Sequence, residues 1–84
     1  MKFTVVWRPG AEQELARLWN GAADRADVAA AADTIDAALA REPLSFGESR
    51  GGATRIALVA PLAALYDVDE PDRLVTVWDL WRRQ

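Results

Sequence analysis

Four arginines in the second half of the chain, Arg50, Arg55, Arg82 and Arg83, and its one tyrosine, Tyr66, are the side chains best suited to chemistry. An arginine fork can grip two phosphate oxygens at once, and a tyrosine hydroxyl can give or accept a proton. The sequence contains no cysteine and no histidine. That excludes disulfides, thiolate or imidazole metal ligands, cysteine or serine–histidine nucleophiles and imidazole acid–base work. Any catalysis has to use carboxylates, arginines, Lys2, hydroxyls or Tyr66. No cofactor is indicated, because the acidic run "DVDEPD" lacks the glycine and spacing of a calcium loop.

Each candidate also has a plainer use. Arg50 stands in the glycine-flanked stretch "SRGG", Arg55 on a strand where it can equally face solvent or pair with an acid, and Arg82 and Arg83 at the end of the sequence. Tyr66 alternates with Leu62 and Ala64, which suits packing with the hydroxyl at the rim. Asp79 is either an acid–base group or the partner of a nearby arginine. Trp78 and Trp81, three residues apart, must point to opposite faces of a regular strand. One would then fill the core while the other stacks on a base or anchors a partner peptide. The net charge of −3 favours the peptide.

These residues need elements to hold them. "KFTVVWR" alternates, with Phe3, Val5 and Trp7 on one face and Thr4, Val6 and Arg8 on the other, and reads as a strand. Pro9 suits a helix start. Ala11, Leu15, Leu18 and Trp19 then form one helical stripe, Glu12 and Glu14 lie in the first turn, and Asn20-Gly21 ends the helix. A second helix starts near Asp24, with Asp27 in a capping-box-like position. It carries Val28, Ala31, Ala32, Ile35, Ala38 and Leu39 on one side and Asp33 and Asp36 towards water, and Pro43 stops it. "PLSFGESRGG" reads as a mobile loop. Three strands follow at 53–59, 62–68 and 73–81, joined by connections short enough to make them antiparallel neighbours. In the last, Val75, Val77 and Trp81 share a face opposite Leu74, Thr76, Trp78 and Leu80.

The expected fold is α+β in the order β-α-α-β-β-β, with two helices on one face of a small, mainly antiparallel sheet and the other face uncovered. Residues 1–84 form one domain, without repeats or linkers. "MKFTVVWRPG" is neither a signal peptide nor a membrane span, so a soluble cytoplasmic protein is expected.

That order resembles the RelE/ParE superfamily of bacterial type II toxins. The likeness runs along the whole chain: "FTVVWRPGAEQELARLW" is similar to the opening strand and helix, "IDAALAREPLSFGESRGG" to the second-helix exit, and "LAALYDVDEPDRLVTVWDLWRR" to the closing hairpin and its basic pair. The resemblance implies a RelE-like toxin that stops translation by ribosome-dependent, metal-independent mRNA cleavage, with a cognate antitoxin, the ribosome and mRNA as partners. It accommodates a ParE-like inhibitor of DNA gyrase without nuclease residues, and a non-toxic interaction module that keeps only the fold. In a nuclease of this kind Arg50, Arg55, Arg82 and Arg83 would stabilise the phosphate and Tyr66 would serve the chemistry. The arginine that precedes a "VxY"-type strand in the family is replaced here by Ala63, and the sequence stops at Gln84 where the family often carries a further aromatic or basic residue.

Overall fold

The computed structural model describes residues 2–83. Its elements run β1 (Thr4–Trp7), α1 (Pro9–Gly21), α2 (Arg25–Arg41), a single-turn α3 (Pro43–Phe46), β2 (Glu48–Gly51), β3 (Thr54–Val59), β4 (Leu62–Asp69) and β5 (Leu74–Arg82). The strands form one sheet in the order β1-β5-β4-β3-β2, with β1 parallel to β5 and every other pair antiparallel.

Pro9 opens α1 at the first helical position, where a missing N–H costs nothing. The Arg8 carbonyl before it accepts from Glu12 N at 3.0 Å. Ala11 is buried, and Leu15 and Leu18 pack against the core. Trp19, expected on the same stripe, is exposed instead. At about 100° per residue it lies roughly 80° round the helix from Ala11, whereas Leu18 returns to within about 20°. Its ring is covered by the Arg25 guanidinium at 4.6 Å. That guanidinium also donates to the carbonyls of Trp19 and Asn20, both at 3.0 Å, and closes the C-terminus of α1.

The inner face of α2 is as the periodicity predicts: Val28, Ala31, Ala32, Ile35, Ala38 and Leu39 are all buried. The alanines let the helix lie close to the sheet, while Ile35 and Leu39 fill the gap above Leu62, Ala64, Tyr66 and Leu80 of the same core. Losing either large side chain to alanine removes about 2–5 kcal/mol, a large share of what so short a domain can hold.

The stretch expected as a loop after α2 is ordered. Pro43 begins α3, and Glu48–Gly51 adds a fifth, edge strand paired with β3. The register steps from Ser49↔Arg55 to Gly51↔Thr54, so Arg50 is bulged out. Gly51 (φ 111°) and Gly52 (φ 57°) turn the chain in backbone conformations that side-chain-bearing residues rarely adopt. "ESRG" has little strand propensity and all four residues are exposed, so no apolar alternation marks it.

Tyr66 holds this segment down. It is fully buried, its hydroxyl donates to Pro43 O at 2.8 Å, and it accepts from Gly47 N at 3.1 Å. The Gly47 carbonyl accepts from the Arg55 guanidinium. A Cβ on Gly47 would lie 2.5 Å from both Ile56 O and the Tyr66 hydroxyl, so only glycine fits. Tyr66→Phe leaves two inward-facing polar groups without their partner and should cost about 1–3 kcal/mol in denaturant melts. Gly47→Ala should cost a similar ~1–3 kcal/mol by overpacking. The double variant should lose less than the sum, because the two changes act on one contact; full additivity would mean the clamp is not a single unit.

Candidate functional site

Cross-strand register assigns every sheet residue to a face. Arg55, Tyr66, Val77 and Trp7 form one row towards the helices. The rows Leu58–Ala63–Trp81 and Ile56–Leu65–Asp79 look the other way, and among the described residues no helix or loop covers them. This open face joins the apolar side chains Ile56, Leu58, Leu65 and Trp81 to the acids Asp67 and Asp79.

A β-bulge in β5 decides which tryptophans reach it. Leu65 pairs with Asp79 but Tyr66 pairs with Val77, which leaves Trp78 as an extra residue. The extra residue reverses the alternation. Val75 and Val77 point inward, and the next inward residue is Leu80 rather than Trp81. This corrects the expectation that the two tryptophans oppose each other. Trp78 is 44% exposed and Trp81 37%, and both stand on the open side.

Trp78 is fixed on two sides. Its Nε1 donates to Asp67 Oδ2 at 2.6 Å, and the Thr54 hydroxyl donates to Asp67 Oδ1 at 2.7 Å. The Arg8 guanidinium lies over its ring, 4.2 Å from the centroid. Arg8 follows β1 directly and its backbone N donates to Val77 O at 3.0 Å, so the end of the edge strand delivers the cation to the bulge. Periodicity places Arg8 on the outer face; it gives no sign of the stack, because the bulge that aims Trp78 leaves no mark in the pattern.

The five residues singled out from the sequence do not gather. Arg55 and Tyr66 are cross-strand partners on the helix side, both engaged at Gly47, and Arg55 Nε is buried without a partner. Arg82 pairs with Leu62, four residues along β4 from Tyr66, which is roughly 13 Å at the usual strand rise. Its fork is taken by Asp24, with contacts of 2.9 and 2.7 Å. Arg50 is exposed on the β2 edge and approaches Glu48 at 3.4 Å. Arg83 is exposed just beyond β5, its backbone N on Pro61 O at 2.9 Å. Ala63 lies on the open face between Leu58 and Trp81 and is fully buried there.

The helical layer corrects two further expectations. Asp24 makes no side-chain cap on α2. Its carboxylate instead reaches Arg82, whose two-pronged fork offers more than a single backbone N–H, and its backbone carbonyl accepts from Asp27 N and Val28 N. Asp36 is not merely solvated; it accepts from Trp7 Nε1 at 2.9 Å. A groove of about 560 Å³ runs between α1 and α2, with Leu15, Trp19 and Ala32 along it and Glu12 and Asp33 at its margin. Among the described residues no helix is long and apolar enough to cross a membrane, and no cluster of three or more acidic side chains is arranged to hold a metal ion.

No protein-family profile and no curated protein matches the sequence. Solved structures do match the fold along its length. A chain of the toxin–antitoxin complex RelBE2 from Mycobacterium tuberculosis superposes with a TM-score of 0.82 at 23% identity, over 99% of this chain and 100% of that one. A chain of the chromosomal ParDE toxin–antitoxin system from P. aeruginosa gives 0.73 at 12% identity, over 98% and 97%. The isolated E. coli RelE toxin gives 0.69 at 12%, over 98% and 85%. The architecture is that of RelE- and ParE-type toxins.

The Asp24–Arg82 pair makes a pH-dependent prediction. Arg82's hydrogen bonds hold the Asp24 carboxyl below the ordinary aspartate range. A depressed carboxyl stabilises the fold above its unfolded value of about 3.9, and the contribution is lost as pH falls through the folded value. Asp24→Asn should therefore be slightly less stable than the parent chain at pH 7 and equal to it at strongly acid pH, measured by thermal melts. The pair is solvent-exposed, so the gap is small; a gap that widens on acidification would contradict the assignment.

Proposed function

We propose that this chain is the toxin of a bacterial type II toxin–antitoxin pair, neutralised in the cytoplasm by a cognate antitoxin. We further propose that it acts by docking on a protein target through the open sheet face, in the manner of a ParE-like gyrase inhibitor. The observation that carries the first part is superposition, over 98–99% of the chain, on structures from RelBE2, ParDE and RelE.

The second part rests on how the charged groups are placed. Cleaving RNA needs a base, an acid and cations that converge on one phosphate. Here Tyr66 is buried with its hydroxyl engaged, Arg55 and Arg82 lie on the helix side in contacts of their own, and Arg50 and Arg83 sit on different edges. What does converge is aromatic and apolar surface with one stacked arginine. These residue types dominate binding energy at protein interfaces.

A second reading, ribosome-dependent mRNA cleavage, draws support from the RelBE2 superposition and from Arg83, which follows Trp81 at the end of β5. Pulse labelling after induction separates the two. Docking on gyrase predicts that DNA synthesis falls and an SOS response rises before protein synthesis changes. It also predicts that the Arg50→Ala/Arg83→Ala double variant stays toxic while Trp81→Ala loses at least tenfold in potency. Protein synthesis failing first, together with a harmless double variant, would establish the nuclease reading; no growth defect from the parent chain would remove both.

A further inference from the structure

Three arginines stack on aromatic rings, Arg8 on Trp78, Arg25 on Trp19 and Arg73 on Phe3, and of these Arg8 is the one set against an exposed indole of the open face. Arg17, Arg50 and Arg82 pair with carboxylates, and Arg25 and Arg55 donate to backbone carbonyls. The Arg8 guanidinium lies over an indole, and among the described residues no side chain or carbonyl accepts from its fork. The nearest acid on the shared face is already used: one Asp67 oxygen takes the Thr54 hydroxyl and the other the Trp78 N–H. A guanidinium whose N–H groups have no acceptor keeps its fork for a ligand, and that fork matches the two oxygens of a carboxylate.

The surroundings say what should carry that carboxylate. Val6 next to Arg8, Leu58, and Trp81 further along β5 are all large, exposed and apolar. A bare polyanion would leave them wet, whereas a polypeptide can cover them. The charge of the chain is unevenly spread as well. Residues 9–46, the helical segment, hold seven acids and three arginines, a net of −4, while the remaining positions hold six acids and seven basic residues, a net of +1. The chain's net negative charge therefore lies in the helical segment; the open face sets Arg8 beside two acids, Asp67 and Asp79, whose carboxylates already accept hydrogen bonds from Thr54, Trp78 and the Leu80 N–H.

We infer that the open face is a docking site for a partner polypeptide segment that presents a carboxylate between apolar side chains, the carboxylate seated on the Arg8 fork and the apolar groups on Trp78 and Trp81. This rests on the reading above that the chain works by binding a protein. It names the chemistry that such a partner must supply.

Two synthetic 16-residue amphipathic peptides with the same leucine pattern, one with glutamate and one with lysine at the polar positions, test it by calorimetric titration into the full chain. A single-stranded oligouridine serves as the nucleic-acid probe. Overall charge alone ranks the lysine peptide first in this acidic protein; the open face ranks the glutamate peptide first. The expected result is glutamate-peptide binding at least tenfold tighter than lysine-peptide or oligouridine binding. Arg8→Gln should remove at least fivefold of that affinity, and Arg8→Lys, which keeps the charge but not the fork, should recover only part. A lysine peptide or oligouridine that binds as tightly as the glutamate peptide, an Arg8→Gln chain that binds like the parent, or full rescue by lysine would each overturn the inference. Growth arrest on induction of the parent chain is scored separately, so the toxin reading and this site can fail independently.

Discussion

One surplus residue in the β4–β5 ladder governs the chemistry of the exposed side of the sheet. With strict alternation, β5 would send Trp78 and Trp81 to opposite faces, and one indole would crowd the core beneath the helices. The step from Tyr66↔Val77 to Leu65↔Asp79 restores Leu80 to the core and turns both rings outward. Burying Leu80 rather than an indole suits an alanine-rich helix that sits close to the sheet. The same step aims Trp78 at Asp67 and at the side chain of Arg8. A contact between the first and last strands thus follows from a local irregularity, and β1, joined to the sheet only through β5, becomes part of the exposed surface.

The helix side puts polar groups to a different use. Tyr66, Arg55 and Gly47 form a knot that pins α3 and the approach to β2. Arg82 and Asp24 tie the end of β5 to the start of α2, 58 residues earlier in the sequence. Tyr66, Arg55 and Arg82 each brace the fold through these contacts, and such bracing matters more in a small domain with a thin core. The Arg55 and Arg82 guanidinium groups are committed to a carbonyl and a carboxylate on the helix side.

The helices and the long strands were readable from the sequence because each buries one stripe. The spacing of Val28, Ala31, Ala32, Ile35, Ala38 and Leu39 survives intact in the structure, as do the two tight connections after β3 and β4. β2 was not readable, since "ESRG" is exposed on every residue and its strand character comes only from pairing with β3. The site was less readable still. A bulge is invisible to a two-residue period, so the tryptophans were assigned to opposite faces. Arg8 was placed on the correct side without its partner. Trp19 was drawn into the α1 stripe by its size, although the helical angle carries it to the rim.

Acrylamide quenching of single-tryptophan chains, retaining either Trp78 or Trp81 with the other indoles changed to phenylalanine, addresses the outward turn of β5 directly. The account predicts that both indoles are quenched readily in the free protein, with similar constants. Strong quenching of one and protection of the other would mean that β5 alternates without interruption, and the shared aromatic face would not exist.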